Sequence, residues 1–223
     1  MKQELTWWRD VSDTAPEHPL LVVALADDAA AVSALPPGYA EDWLLRDTPT
    51  ARVAEYLGVT IVAADAEPPE HDLLLLAAVG RGLTSVAACV AVSVFGAEPQ
   101  LVTGYGSGIT DEQWMDKVAD VRSREMVEVP PVITSLVSWL ENSEVPVLLD
   151  GVIAAAAASC ADRLPAVQAP VLGAEPVQRF LLDRANVAVW GSCGVGPGEG
   201  LGALTGLAML RLALLADGPT LHS

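Results

Sequence analysis

The chain has 223 residues, 52% of them hydrophobic, and a formal net charge of −17 from 12 Lys and Arg against 29 Asp and Glu. That apolar content excludes a disordered chain and suits one domain, or one domain with a small appendage. The acidity argues against nucleic acid and anionic membrane surfaces as partners, but it leaves room for an anion held by local backbone N–H groups or a single Lys.

Residues 1–19 are polar and read as an N-terminal arm or short helix, without the apolar core of a signal peptide. Leu20 to Ala26 is a continuous apolar run ending at Asp27 and Asp28, the mark of a strand buried on both faces. Pro36-Pro37-Gly38 is a turn, and Thr50 to Leu57 a short helix with Thr48 or Thr50 as its N-cap. Val59 to Ala63 is a second strand, and the acidic stretch Asp65 to Asp72 a surface loop. Leu73 to Val79 is a third strand, running through Gly80-Arg81-Gly82-Leu83-Thr84-Ser85 into a helix that reaches Ala97. Arg81 and the glycines interrupt the apolar region from Leu73 to Phe95, which makes it a poor membrane span.

Leu101 to Tyr105 reads as another extended piece, Asp111 to Arg124 as an amphipathic helix, and residues 132–141 as a helix opened by Pro130 and Pro131. Val145 to Leu149 is a strand ending at Asp150-Gly151, followed by an Ala-rich helix to about Ala161. Val187 to Trp190 is a strand leading through Gly191–Gly202 to a final helix over 203–215; residues 218–223 are a tail. Strand, Gly or Asp, then helix recurs. The pattern predicts an α/β fold: a three-layer, doubly wound, mostly parallel sheet with helices on both faces.

Ligands of such sheets bind at the carboxyl ends of strands, where four turns are expected. In the first, Gly80, Gly82, Thr84 and Ser85 suit either an anion at a helix N-terminus or a plain tight turn. In the second, Gly104, Gly106 and Gly108 suggest a nest, and Lys117 either reaches a phosphate or pairs at the surface with Asp116 or Asp120. In the third, Asp150 caps the helix that follows it or binds a ligand hydroxyl. In the fourth, Glu199 lies among glycines before a helix, as a dipole-complementing carboxylate or a general base. Cys89, Cys160 and Cys193 form no CxxC pair and read as reduced thiols of a cytoplasmic protein; Cys193 alone lies in a Gly-rich turn. His18, His71 and His222 fall outside the turns, no metal-ligand spacing occurs, and the six Trp read as packing residues.

In this order the turns resemble the nicotinate-nucleotide:dimethylbenzimidazole phosphoribosyltransferases, which build the lower-ligand nucleotide of cobalamin. Gly198-Glu199-Gly200-x-Gly202-Ala203 is similar to that family's G-E-G-T-G-A, VPVLLDGVIAAAA (145–157) to its V-V-L-D-G-F-I-S-x-A-A, GYGSGITDEQWMDK (104–117) to its G-x-G-T-G-L-D-D-E-x-x-x-x-K, and the 80–85 turn to its E-M-G-I-G-N-T-T. LLVVALADD and VSALPP are similar to its A-G-D-H-G strand end and V-S-A-Y-P turn.

The resemblance implies one phosphoribosyltransferase-like domain over 20–217. Glu199 would be the general base, and Gly80, Gly82, Thr84, Ser85, Gly106, Gly108, Lys117, Asp150, Gly173, Gly198 and Gly200 the substrate contacts. It implies a small-molecule nucleotide and an aromatic base as ligands, no cofactor, no metal, and a homodimer. The departures are specific. Ala78 and Leu83 stand where the family has Glu and Asn, Val171 and Gly173 replace the His and Ser of H-x-S-x-E, and Ala29 replaces the His of A-G-D-H-G. No K-P-P-G-S-L-G-R pattern occurs, and the stretch between VTIVA and GRGLTS is short. The implied reaction moves phosphoribose from nicotinate mononucleotide to a benzimidazole-type base. The alternatives are a non-catalytic nucleotide- or partner-binding relative, or a subunit completed by a second chain.

Overall fold

The fold is built around strands too apolar to leave either face in water. In the computed structural model, which describes residues 2–12, 14–124, 126–192 and 198–217, six strands form one sheet: β1 (Pro19–Leu25), β2 (Thr60–Ala63), β3 (Leu73–Val79), β4 (Val147–Leu149), β5 (Val167–Val171) and β6 (Ala188–Gly191). Their order is β2-β1-β3-β4-β5-β6, and every pairing is parallel. β1 and β3 lie side by side along their full length, from Pro19 opposite Leu73 to Leu25 opposite Val79. Alternate side chains of β1 and β3 feed two cores. Leu20, Val22, Leu74 and Leu76 belong to one, and Leu21, Val23, Leu73 and Leu75 to the other.

The first core is covered by α3 (Leu83–Phe95), α6 (Pro131–Glu141), α7 (Gly151–Cys160) and α8 (Pro176–Arg184), with α4 (Pro99–Val102) and α5 (Asp111–Ser123) beside α3. The second is covered by α1 (Lys2–Arg9), α2 (Pro49–Leu57) and α9 (Leu201–Ala216). α1 docks on α9, with Trp8 fully buried, so the N-terminal residues are part of the packed body. Several helix starts follow from the sequence. Thr48 caps α2 by accepting the Ala51 N–H, and Thr110 with Gln113 closes a capping box on α5. No described helix is long and apolar enough to cross a membrane.

Three expectations need correction. Leu101–Tyr105 is not an extended piece throughout: Leu101 and Val102 end the short helix α4, which Pro99 opens at its first position, and only from Thr103 does the backbone extend. The stretch from 161 to 187 holds an element pair that the pattern does not reveal, β5 and α8. Gln168 and Pro170 break the apolar run of β5, yet it pairs on both sides. The 104–108 turn follows a helix and not a strand.

The order of strands places the crevice. The chain runs from β1 outward to β2, then returns to β3 on the other side of β1. Flanking connections diverge at that reversal, leaving a gap at the carboxyl ends of β1 and β3.

Candidate active site

At the reversal the end of β1 and the turn after β3 touch. A Cβ on Gly80 would overlap the Ala26 carbonyl oxygen, so only glycine fits there. Asp27 Oδ1 accepts the Arg81 N–H at 2.6 Å and Asp27 Oδ2 the Ala40 N–H at 3.2 Å. The Arg81 guanidinium donates to the carbonyls of Leu35 (3.0 Å) and Asp28 (2.7 Å). The 26–40 loop is thereby strapped to the 80–82 turn. Ser107 joins from the other side, its Oγ accepting the Ala34 N–H at 3.1 Å.

The first half of the site is built for an anion. Gly82 precedes α3, a 13-residue helix whose N-terminus faces the crevice, and Thr84 stands in its first turn. Behind Thr84 lies Lys117 of α5. It is 1% exposed and donates to Thr84 Oγ1 at 2.9 Å and to the Gly104 carbonyl at 2.8 Å. The surface pairing with Asp116 or Asp120 does not occur. Instead Glu175, at the start of α8, reaches under the same loop. Its Oε1 accepts the Gly106 N–H at 2.6 Å, and its Oε2 lies 3.8 Å from Lys117 Nζ. Burial lowers the Lys117 pKa, and the Glu175 carboxylate opposes that shift.

The second half carries carboxylates. Asp150 ends β4 but does not cap α7. Its side chain crosses to α9, where Oδ2 accepts the Gly202 N–H at 2.9 Å and the amides of Gly200 and Ala203 also face it. Capping was the right chemistry on the wrong helix. Asp150 is 3% exposed, and burial pushes its pKa up to about 6 against those amides, with the neighbouring Glu199 charge adding to the rise. Asp150 thus accepts from the first amides of α9, and Glu199 immediately precedes Gly200, the N-cap. Its backbone is left-handed (φ 59°), with its carbonyl accepting the Thr50 hydroxyl at 2.7 Å. Its Oε1 accepts the Tyr39 hydroxyl at 2.6 Å. Burial, then the Glu199 hydrogen bond, raise the Tyr39 phenol to about 12.

Both halves open on one cavity of about 460 Å³, of small-molecule size. Of the sequence-selected residues, Gly80, Gly82, Thr84, Gly106, Asp150, Gly198 and Glu199 line it. Lys117, Ser85, Gly108, Gly173 and Gly200 do not. Ser85 is buried, the Gly108 N–H donates to the Tyr105 carbonyl, and the Gly173 N–H donates to Gln178. Ser33, Leu35, Ser107 and Ile153 line the cavity without having been selected. Tyr39 and Glu175 were missed as well, since each acts across about 70 residues or more of sequence. Among the described residues no His, Cys, Asp and Glu cluster is arranged to hold a metal. Cys193 and His222 lie outside the described residues. Cys89 is buried, its thiol pushed up to about 11 by burial.

Residues 48–216, well over half of the chain, match the family model described as DBI_PRT, Phosphoribosyltransferase. The chain belongs to this phosphoribosyltransferase family. Its relatives include the nicotinate-nucleotide–dimethylbenzimidazole phosphoribosyltransferase of Corynebacterium glutamicum, 32% identical over 165 residues (64% of this chain, 46% of the relative). The enzyme of that name from Mycobacterium tuberculosis is 31% identical over 199 residues (79% and 54%). This phosphoribosyltransferase-family chain thus spans about half the length of the curated relatives it matches. Its fold is similar to that of crystalline CobT from Thermus thermophilus, with a TM-score of 0.77 at 20% identity over 94% of this chain and 86% of that one.

Proposed function

We propose that this chain transfers phosphoribose from nicotinate mononucleotide to an aromatic nitrogen base of benzimidazole type, with Glu199 as general base. One observation carries the reading: a single cavity has an amide-and-hydroxyl end backed by buried Lys117 and, opposite, a carboxylate end at Glu199. The phosphate would sit at the Gly80 and Gly82 turn and the N-terminus of α3, since the Gly106 N–H is already taken by Glu175. Lys117 occupies a lone pair of Thr84 Oγ1, so the Thr84 hydroxyl is free to donate toward that phosphate. The acceptor nitrogen then attacks the anomeric carbon as the bond to nicotinate breaks, and Glu199 takes the proton that the acceptor loses. Nicotinate departs as a neutral ring because it was bound as a pyridinium. The same reading carries a cytoplasmic homodimer, for which exposed Tyr56 on α2 and Leu212 and Leu215 on α9 offer apolar contacts.

The test is release of nicotinate from the mononucleotide in the presence of benzimidazoles, purines and phenols. Glu199→Gln is expected to lower the rate by about 100-fold or more. No release with any acceptor, or full activity in Glu199→Gln, overturns the reading. A second reading is a relative that binds nucleotide without turnover. It is favoured by Ala78, Leu83, Val171 and Gly173, which stand where the family carries polar side chains. It predicts a higher melting temperature with the mononucleotide and no nicotinate.

A further inference from the structure

Glu199 is held at three points, and only one of them touches its carboxylate. The Thr50 hydroxyl fixes the Glu199 carbonyl. Gly200, the next residue, packs so closely on Leu21 and Thr50 that a Cβ there would lie 2.7 Å from Leu21 Cδ2. The carboxylate itself is met by Tyr39, at 2.6 Å through Oε1. Tyr39 comes from the loop after β1, far from Glu199 in sequence, and does not line the cavity. Its own position is set from both sides: the Arg46 guanidinium donates to its carbonyl at 3.0 Å, and the next residue, Ala40, donates to Asp27. A phenol is a poor choice for merely filling space here, because its hydroxyl is half-buried and aimed at a single oxygen.

We propose that Tyr39 is a positioning residue for the reaction, its phenol holding Glu199 Oε1 so that Oε2 alone is presented to the acceptor base. This rests on the reading of Glu199 as the base. The charged and titratable groups around the pair are Asp150 at the end of β4 and Arg46 beside Tyr39. Asp150 is committed to the amides of α9, and Arg46 reaches the carbonyls of Tyr39 and Glu41. Tyr39 is thus the donor that fixes the carboxylate rotamer. The phenol remains protonated at any working pH, so it orients and does not transfer the proton.

Two measurements test this. The chain holds three Tyr, so a ¹³Cζ-tyrosine spectrum gives few signals, and Tyr39→Phe assigns the relevant one. The Tyr39 signal is expected to ionise at lower pH in Glu199→Gln than in the wild type, because the carboxylate's share of the rise is lost while burial, its larger cause, stays. Equal ionisation in the two proteins overturns the contact. In the turnover assay Tyr39→Phe is expected to lower kcat by about tenfold or more, with KM for the mononucleotide within about twofold. A purely structural role would instead move KM together with kcat. Wild-type kcat in Tyr39→Phe, with Glu199→Gln inactive, overturns the positioning role and leaves the proposed function standing. Full activity in Glu199→Gln overturns both. If the wild type itself releases no nicotinate, the proposed function and the role that rests on it both fall, while the ionisation measurement still decides the contact.

Discussion

Asp150 and Lys117 are the residues whose chemistry depends most on being buried. Asp150 has a folded-state value near 6, above the ordinary carboxylate value of 3.8. The folded chain therefore holds that proton more tightly than the unfolded chain. The stability this confers is full below about pH 4 and is lost as pH rises through about 6. Urea unfolding of wild type and Asp150→Asn should show it. The wild-type stability minus that of the variant is expected to fall by up to about 3 kcal/mol between pH 4 and pH 7. A difference independent of pH would mean that Asp150 is not the buried acid described here. Both residues are legible as candidates in the sequence, but their partners are not. The sequence offers Asp150 its own helix or a ligand hydroxyl, and Lys117 a phosphate or a surface acid, because a local window contains neither Gly202 nor Glu175. Glu175 is visible there only as the last position of the stretch compared with H-x-S-x-E, two residues after Gly173.

At the level of elements, strand and helix positions follow from apolar runs and their punctuation. β3 is placed to the residue, since seven consecutive apolar residues end at a glycine turn. β5 escapes because Gln168 and Pro170 imitate a loop. α9 shows what pattern alone does not reveal, namely how near a helix lies to its sheet. A Cβ on Gly202 would lie 2.9 Å from Asp150 Cγ, and one on Gly206 would overlap Pro170 of β5. Helix propensity favours Ala over Gly by about 1 kcal/mol, whereas forcing atoms into a packed contact costs about 1–3 kcal/mol. Packing wins at both positions. Gly202→Ala and Gly206→Ala are each expected to lower the melting temperature, and a rise in either would refute the close approach of α9.

Across the whole molecule the charge of −17 acts against the compact state through self-repulsion. Salt screens that repulsion, so the melting temperature is expected to rise by about 3 °C between low salt and about 0.2 M NaCl, as followed by circular dichroism. A fall would mean that ion pairs such as Arg124 with Asp28 and Asp120 outweigh it. The reversal of strand order between β1 and β3 is also a property of the whole. It brings the 80–85 turn, the 104–108 loop, Asp150 and Glu199 to one cavity. By itself the sequence determined the layers, because runs of Leu, Val and Ala can be satisfied only between two layers of helices. It also marked the glycine turns, because close backbone approach admits no side chain. The tertiary structure decided where each carboxylate sits. Asp150 took the amides of α9, Glu175 took the nest and Lys117, and Glu199, met by Tyr39, was left facing the cavity. Those assignments depend on distances between residues far apart in the chain, which only the packed sheet sets.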